Sequence, residues 1–113
     1  MELSSTLHED VLVVSACGDL NAVSCSSLEK ELTAQAEAGH ARIVLDLAEI
    51  RYVSSAGLRV FLVSARKLGK QGFILARPTE AVAQILKMTG FDRIVRVEPS
   101  LDAAIAAAQP DSA

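Results

Sequence analysis

The chain has no tryptophan, one tyrosine and three phenylalanines among 113 residues. A core of stacked rings is thereby excluded. With 50% of the residues hydrophobic, the interior has to be built from Val, Leu, Ile and Ala. Only two cysteines occur, Cys17 and Cys25. They are too few for a disulfide framework, and their spacing matches neither a metal knuckle nor a redox pair, so both are expected as reduced, structural thiols. No stretch approaches the roughly 18 consecutive apolar residues of a membrane span, and the start lacks a basic-then-apolar leader, which predicts a cytoplasmic protein with no membrane insertion. A net charge of −3 gives no reason to expect nucleic acid or an anionic membrane as partner.

Reactive constellations are missing as well. There is no Gly-rich phosphate loop, and Ser54-Ser55-Ala56-Gly57 is not the Gly-x-Ser-x-Gly elbow of a hydrolase. His8 and His40 both fall in predicted turns with no evident partner for acid–base work. Asp and Glu are scattered without metal-ligand spacing. The expectation is a non-enzyme with no metal and no cofactor.

What is present is an alternation of strand-like and helix-like segments. Glu2 to Thr6 and Val11 to Ala16 read as an opening hairpin around the polar turn His8-Glu9-Asp10. From Ser24 to Ala38 the period becomes helical, with Leu28, Leu32 and Ala36 on one side, Asn21 and Ser24 as candidate caps, and Gly39 as a stop. Ala41 to Leu47 is a strong strand, after which a short polar connection is expected. A second helix starts near Ser54 or Ser55, with Leu58, Phe61, Leu62, Ala65 and Leu68 inward, and ends by Gly69. Gly72 to Arg77 reads as a core strand. Thr79 caps a third helix with Val82, Ile85, Leu86 and Met88 inward and Gly90 as its stop. Ile94 to Val97 is a short strand, and Ser100 opens an Ala-rich helix. The order β-β-α-β-α-β-α-β-α implies one α/β domain: a mixed, mostly parallel sheet of about five strands with about four helices. The domain is expected over residues 1–108, with a frayed tail over 109–113.

The most informative stretch runs from Val44 to Leu62. It places two serines between a buried strand and an amphipathic helix. Either hydroxyl can cap the helix, a role worth about 1 kcal/mol. A phosphate at the same place would meet the free N–H groups of the first turn, yet would add roughly −1.5 to −2 charges to a small surface. Gly57 either allows close packing against the sheet or lets a partner approach the serine. Arg59 either belongs to a solvated face or touches a partner or its nucleotide. Asp19 and Asn21 either cap the first helix or border the serine surface. Asp46 reads as a structural hydrogen-bonding residue.

Asp46-Leu47 followed by Tyr52-Val53-Ser54-Ser55-Ala56-Gly57-Leu58-Arg59 resembles the signature of the STAS domain of bacterial anti-sigma factor antagonists. Gly18-Asp19-Leu20-Asn21 and Lys87-Met88-Thr89-Gly90-Phe91-Asp92 fit the same pattern, so the likeness spans about Leu12 to Ile105. The resemblance implies helices flanking a mixed sheet and a phosphoacceptor two places before the motif glycine, at Ser55. The preceding position, acidic in many family members, is Ser54, and the early motif ends in Asn21 where Asp is common. It further implies a partner-switching protein whose unphosphorylated form binds an anti-sigma factor, itself a serine kinase, through Asp19, Asn21, Ser54, Ser55, Ala56, Gly57 and Arg59. A sigma factor is thereby released, and a serine phosphatase resets the phosphorylated form. Two other roles are compatible with the family: a non-catalytic subunit of a bacterial lipid ABC transporter, and a small-ligand or nucleotide-binding module.

Overall fold

The β-branched run after the first turn makes the sheet's second strand. Glu2–His8 (β1) and Val11–Leu20 (β2) pair antiparallel in register from Glu2 opposite Cys17 to His8 opposite Val11, with Glu9 turning the chain at a φ of 57°. The computed structural model describes residues 2–109. Helix α1 (Ala22–Glu37) is followed by β3 (Ile43–Val53), α2 (Ser55–Leu68), β4 (Phe73–Ala76), α3 (Glu80–Met88), a single 3-10 turn (Phe91–Arg93), β5 (Arg96–Glu98) and α4 (Leu101–Ala108). The five strands lie in the order β1-β2-β3-β4-β5, and every pair after the first is parallel. This is the expected mixed, mostly parallel sheet with four helices.

Alternation along the strands divides the core into two unequal parts. Leu12, Val14, Ala16, Ile43, Leu45, Leu47, Phe73 and Leu75 face α1, α2 and α3. Val11, Val13, Val44, Ile74 and Ala76 face α4, whose Ala104 and Ala108 complete a thinner layer. β4 is buried throughout, as a central parallel strand covered on both faces should be. Small alanines on α4 let that helix lie close to the sheet.

Several boundaries and side-chain positions differ from the sequence expectations. β3 does not end at Leu47 but continues to Val53, and β2 continues past Ala16 to Leu20. The buried positions become Leu47, Ile50 and Val53, spaced by three, because the β2–β3 pairing shifts register between Ser15 and Cys17 and again between Gly18 and Asp19. A bulge of this kind breaks the period of two by which a strand is read, and Gly18 accommodates the irregularity at a φ of 117°. β5 starts at Arg96 rather than Ile94, because the turn after Gly90 extends through Arg93. Met88 is 77% exposed rather than inward. It lies about 200° around the helix from Leu86, at about 100° per residue, and Phe91 packs against the core instead. On α2, Val60 joins the buried face and Leu62 is only half-buried. Of the tail expected over 109–113, Gln109 ends α4 and residues 110–113 lie outside the described residues.

Among the described residues one charged group is buried in the sheet. Asp46, with 5% of its surface exposed, accepts hydrogen bonds from Arg77 Nε and Nη2, both at 2.8 Å, from Ser15 Oγ at 3.3 Å and from the Ala48 N–H at 3.1 Å. Three adjacent strands are thereby tied together at one height. The pair also holds Arg77 in the left-handed region, at a φ of 40°, where its N–H donates to the Glu98 carbonyl. The structural role expected for Asp46 is what this geometry provides. Burial pushes the Asp46 carboxyl up, but the Arg77 hydrogen bonds, the Ala48 N–H and the Arg77 charge outweigh it, leaving the carboxyl below its ordinary value.

Asp46→Asn should therefore lower stability by about 1–3 kcal/mol, less than for a fully buried pair because the Arg77 side chain is 48% exposed. The stabilisation is fully present above the unfolded carboxylate pKa of about 3.9, and it is lost as pH falls through the lower folded value. Urea titrations of the two proteins should thus diverge at pH 6 and converge in acid. A constant difference down to pH 2 would show that the charge is not what matters.

Candidate functional site

Two helices start side by side at one edge of the sheet, because the strands that lead into them are neighbours. β2 and β3 are parallel and pair Leu20 with Val53 at their last residues. The Ser54 N–H donates to the Leu20 carbonyl at 2.8 Å. The chain then enters each helix two residues later, α1 at Ala22 after Leu20 and α2 at Ser55 after Val53. The carboxyl edge of a parallel sheet is where such folds commonly place binding groups.

Each helix is capped by a different device. Asn21 Oδ1 accepts from the Val23 and Ser24 N–H groups, both at 3.0 Å, and Ser24 Oγ accepts from the Asn21 N–H at 3.0 Å. Ser24 Oγ also lies 2.6 Å from the Asp19 carbonyl, to which it donates. On α2 the cap is Ser54, whose Oγ accepts from the Gly57 N–H at 3.3 Å. Of the two serines that could have capped this helix, Ser54 does so. Ser55 is the first helical residue, exposed, and its hydroxyl makes no hydrogen bond among the described residues.

Behind Ser55 the packing is tight. Gly57 is buried, and a methyl group there would lie 2.8 Å from Val53 Cγ1 and 3.2 Å from Leu20 Cβ. The close-packing reading accounts for this glycine: α2 can start directly on the ends of β2 and β3 only without a side chain there. Cys25 fills the adjacent space from α1, with its Sγ 3.6 Å from the same point. Burial pushes its thiol up, against a hydrogen bond with Ser54 and with help from the Glu29 charge, so it stays protonated at neutral pH. Cys17, by contrast, is exposed on the strand rather than buried.

The surface around Ser55 gathers the residues singled out from sequence. Asp19 and Asn21 come from the end of β2, Ser54, Ser55 and Ala56 from the β3–α2 junction, and Arg59 from the next turn of α2. Asn21, Ser55 and Arg59 are exposed, while Ser54 and Ala56 are half-buried. Three further residues join them. Arg51 Nε lies 3.5 Å from Asp19 Oδ1, Tyr52 is 52% exposed in register with Asp19, and Val23 on α1 is 83% exposed. Arg51 and Tyr52 lie past the bulge, where alternation no longer tells inside from outside, and Val23 stands in the first turn of α1, where a single apolar residue carries no period. Tyr52 alone carried a signal, as the chain's one tyrosine inside its most informative stretch. Ala56 and Arg59 also line a groove between α1 and α2, together with Cys25, Glu29, Val60 and Val63.

Three substitutions separate these roles in urea denaturation. Ser54→Ala should cost about 1 kcal/mol through loss of the cap. Ser55→Ala should stay within about 0.5 kcal/mol, as at an exposed position without partners. Gly57→Ala should cost about 1–3 kcal/mol by overpacking against Val53 and Leu20. A Ser55→Ala penalty equal to that of Ser54→Ala would mean that the cap is shared.

Comparison with known proteins agrees with this geometry. The STAS domain is matched over residues 2–104. BtrV of Bordetella bronchiseptica, which is named as an anti-sigma factor antagonist, is 38% identical over 109 residues, covering 95% of this chain and 94% of the relative. A crystal structure of an anti-sigma factor antagonist from Mycobacterium paratuberculosis superposes with a TM-score of 0.88 at 28% identity, over 96% of this chain and 94% of that one. The fold is also that of SpoIIAA, a Bacillus cell fate determinant whose structure was determined in the phosphorylated form. There the TM-score is 0.69 at 15% identity, over 96% of this chain and all of that one. A sheet of this order, two capped helices starting together at its edge and a close relative of the same description lead to one assignment: the chain belongs to the STAS domain family of anti-sigma factor antagonists.

Proposed function

We propose that the protein is a phosphorylation-controlled partner switch acting in the cytoplasm, with Ser55 as its phosphoacceptor. One observation carries the reading: Ser54 supplies the cap, so the Ser55 hydroxyl is exposed and structurally unengaged. A kinase can take that hydroxyl without dismantling the helix. The unmodified surface holds Asp19 answered by Arg51, the cation Arg59 in no ion pair among the described residues, and the exposed apolar side chains of Val23 and Tyr52. Such a surface suits a protein partner, whose aromatic and aliphatic contacts can dominate affinity.

In this reading the unphosphorylated protein binds an anti-sigma factor that is also a serine kinase, and a sigma factor is released. The kinase transfers the γ-phosphoryl group of its ATP to Ser55 Oγ, the hydroxyl proton leaves, and ADP is the second product. The free Ser55 and Ala56 N–H groups at the helix start tolerate the new charge within this chain. The partner does not, because roughly two negative charges have entered a contact built around a neutral hydroxyl. A penalty of about 3 kcal/mol lowers affinity more than a hundredfold. A serine phosphatase restores the binding form. The protein contributes no catalysis; it is substrate and ligand. The 38% identity to a protein named as an anti-sigma factor antagonist favours this reading over a transporter subunit or a small-ligand module.

Incubation with the cognate kinase and ATP, followed by phosphopeptide mapping, should place a single phosphate on Ser55. By calorimetry Ser55→Ala should bind the partner about as tightly as the parent, and Ser55→Asp at least about tenfold more weakly, about 1.4 kcal/mol. Phosphate on Ser54 alone would move the acceptor by one residue. Unmodified protein, with Ser55→Asp binding as tightly as the parent, would remove the switch.

A further inference from the structure

We propose that a phosphate on Ser55 is held by Arg59 of the same helix, so that modification both adds charge and withdraws a cation from the partner-facing surface. This inference rests on the reading of Ser55 as the phosphoacceptor. Ser55 is the first residue of α2, and Arg59 follows four positions later, both exposed. Residues so spaced stand one above the other on a helix, with Cβ atoms about 5–6 Å apart. An acidic group on the N-terminal side of a basic one is the favourable order for such a pair. A guanidinium can meet phosphate oxygens through two parallel hydrogen bonds, a geometry that a serine hydroxyl does not offer.

The other charges nearby leave Arg59 as the available cation. Among the described residues Arg59 forms no ion pair, whereas Arg51 is engaged by Asp19, Arg77 by Asp46 and Arg96 by Glu98. Arg66 and Lys67 lie at the opposite end of α2, more than two turns away. Glu29 faces Arg59 across the α1–α2 groove without reaching it as an ion pair. Recruiting Arg51 instead would leave the Asp19 carboxylate unanswered beside a dianion. Before modification Arg59 is in no ion pair among the described residues and can reach a partner's acidic group; afterwards it is occupied at home. Loss of the partner's affinity then has two sources, repulsion by the phosphate and removal of Arg59.

The test uses the full chain with phosphoserine genetically encoded at position 55, so that no kinase is required. The second ionisation of an exposed phosphoserine lies near pH 6, and phosphorus NMR follows it directly. In the parent it should fall below that of Arg59→Gln by about 0.3 pH unit or more, the size of an exposed pair at this spacing. The difference should shrink in about 1 M salt, where the Debye length is about 3 Å. Arg59→Lys should retain part of it, and Arg51→Gln should titrate as the parent does. Coincident titrations of the parent and Arg59→Gln would overturn the pairing, and loss of the shift in Arg51→Gln would transfer it to the other arginine. A kinase that leaves Ser55 unmodified would overturn the switch reading while these titrations still decide the pairing.

Discussion

The pairing of β2 with β3 beyond the bulge is the constraint on which the candidate site depends. Parallel strands at neighbouring positions end at the same edge, and here their last residues, Leu20 and Val53, are partners. The Ser54 N–H bonded to the Leu20 carbonyl carries that register into the loop. If either strand stopped where its apolar run first breaks, the starts of α1 and α2 would lose this common anchor. The serine, the Asp19–Arg51 pair and Tyr52 would then no longer share a surface.

Two features fix this arrangement beyond the packing of the core. Asp46 joins β2, β3 and the residue that follows β4 through a single carboxylate, just before the bulge begins. The charge sits where the regular alternation ends, and its hydrogen bonds replace packing that aliphatic side chains cannot supply at an irregular strand pair. Past the bulge, Gly57 lets helix and sheet approach to a distance at which even a methyl group would press on Val53 and Leu20. Close packing therefore runs up to the serines, and the exposed hydroxyl stands at the start of a helix seated on the sheet.

The division of work between two adjacent serines has a simple physical basis. A cap must lie outside the helix with extended backbone, as Ser54 does at φ −80° and ψ 173°. The next residue has already adopted helical geometry, so its hydroxyl points away from the orphan N–H groups that a cap satisfies. One serine is needed by the fold and the other is not. Chemistry at the second can alter the surface while leaving the first turn intact, which is the property a reversible modification requires.

Much of this protein was legible in its residues. Apolar runs located β2, β3 and β4, and a period near four placed the inward face of α1, because both signals come from the local geometry of a chain against one core. The resemblance carried by Tyr52 to Arg59 marked the same surface, and the STAS assignment agrees with it. Periodicity failed wherever a neighbour decided the outcome. The strand extensions to Leu20 and Val53 exist because each strand is the other's partner. Which serine caps α2, and that Arg51 reaches Asp19, likewise depended on where β3 stops relative to β2. Hydrophobic period reports how one segment meets an average interior; register, bulges and cap geometry arise from hydrogen bonds between segments far apart in the chain, and only the folded structure brings those groups together.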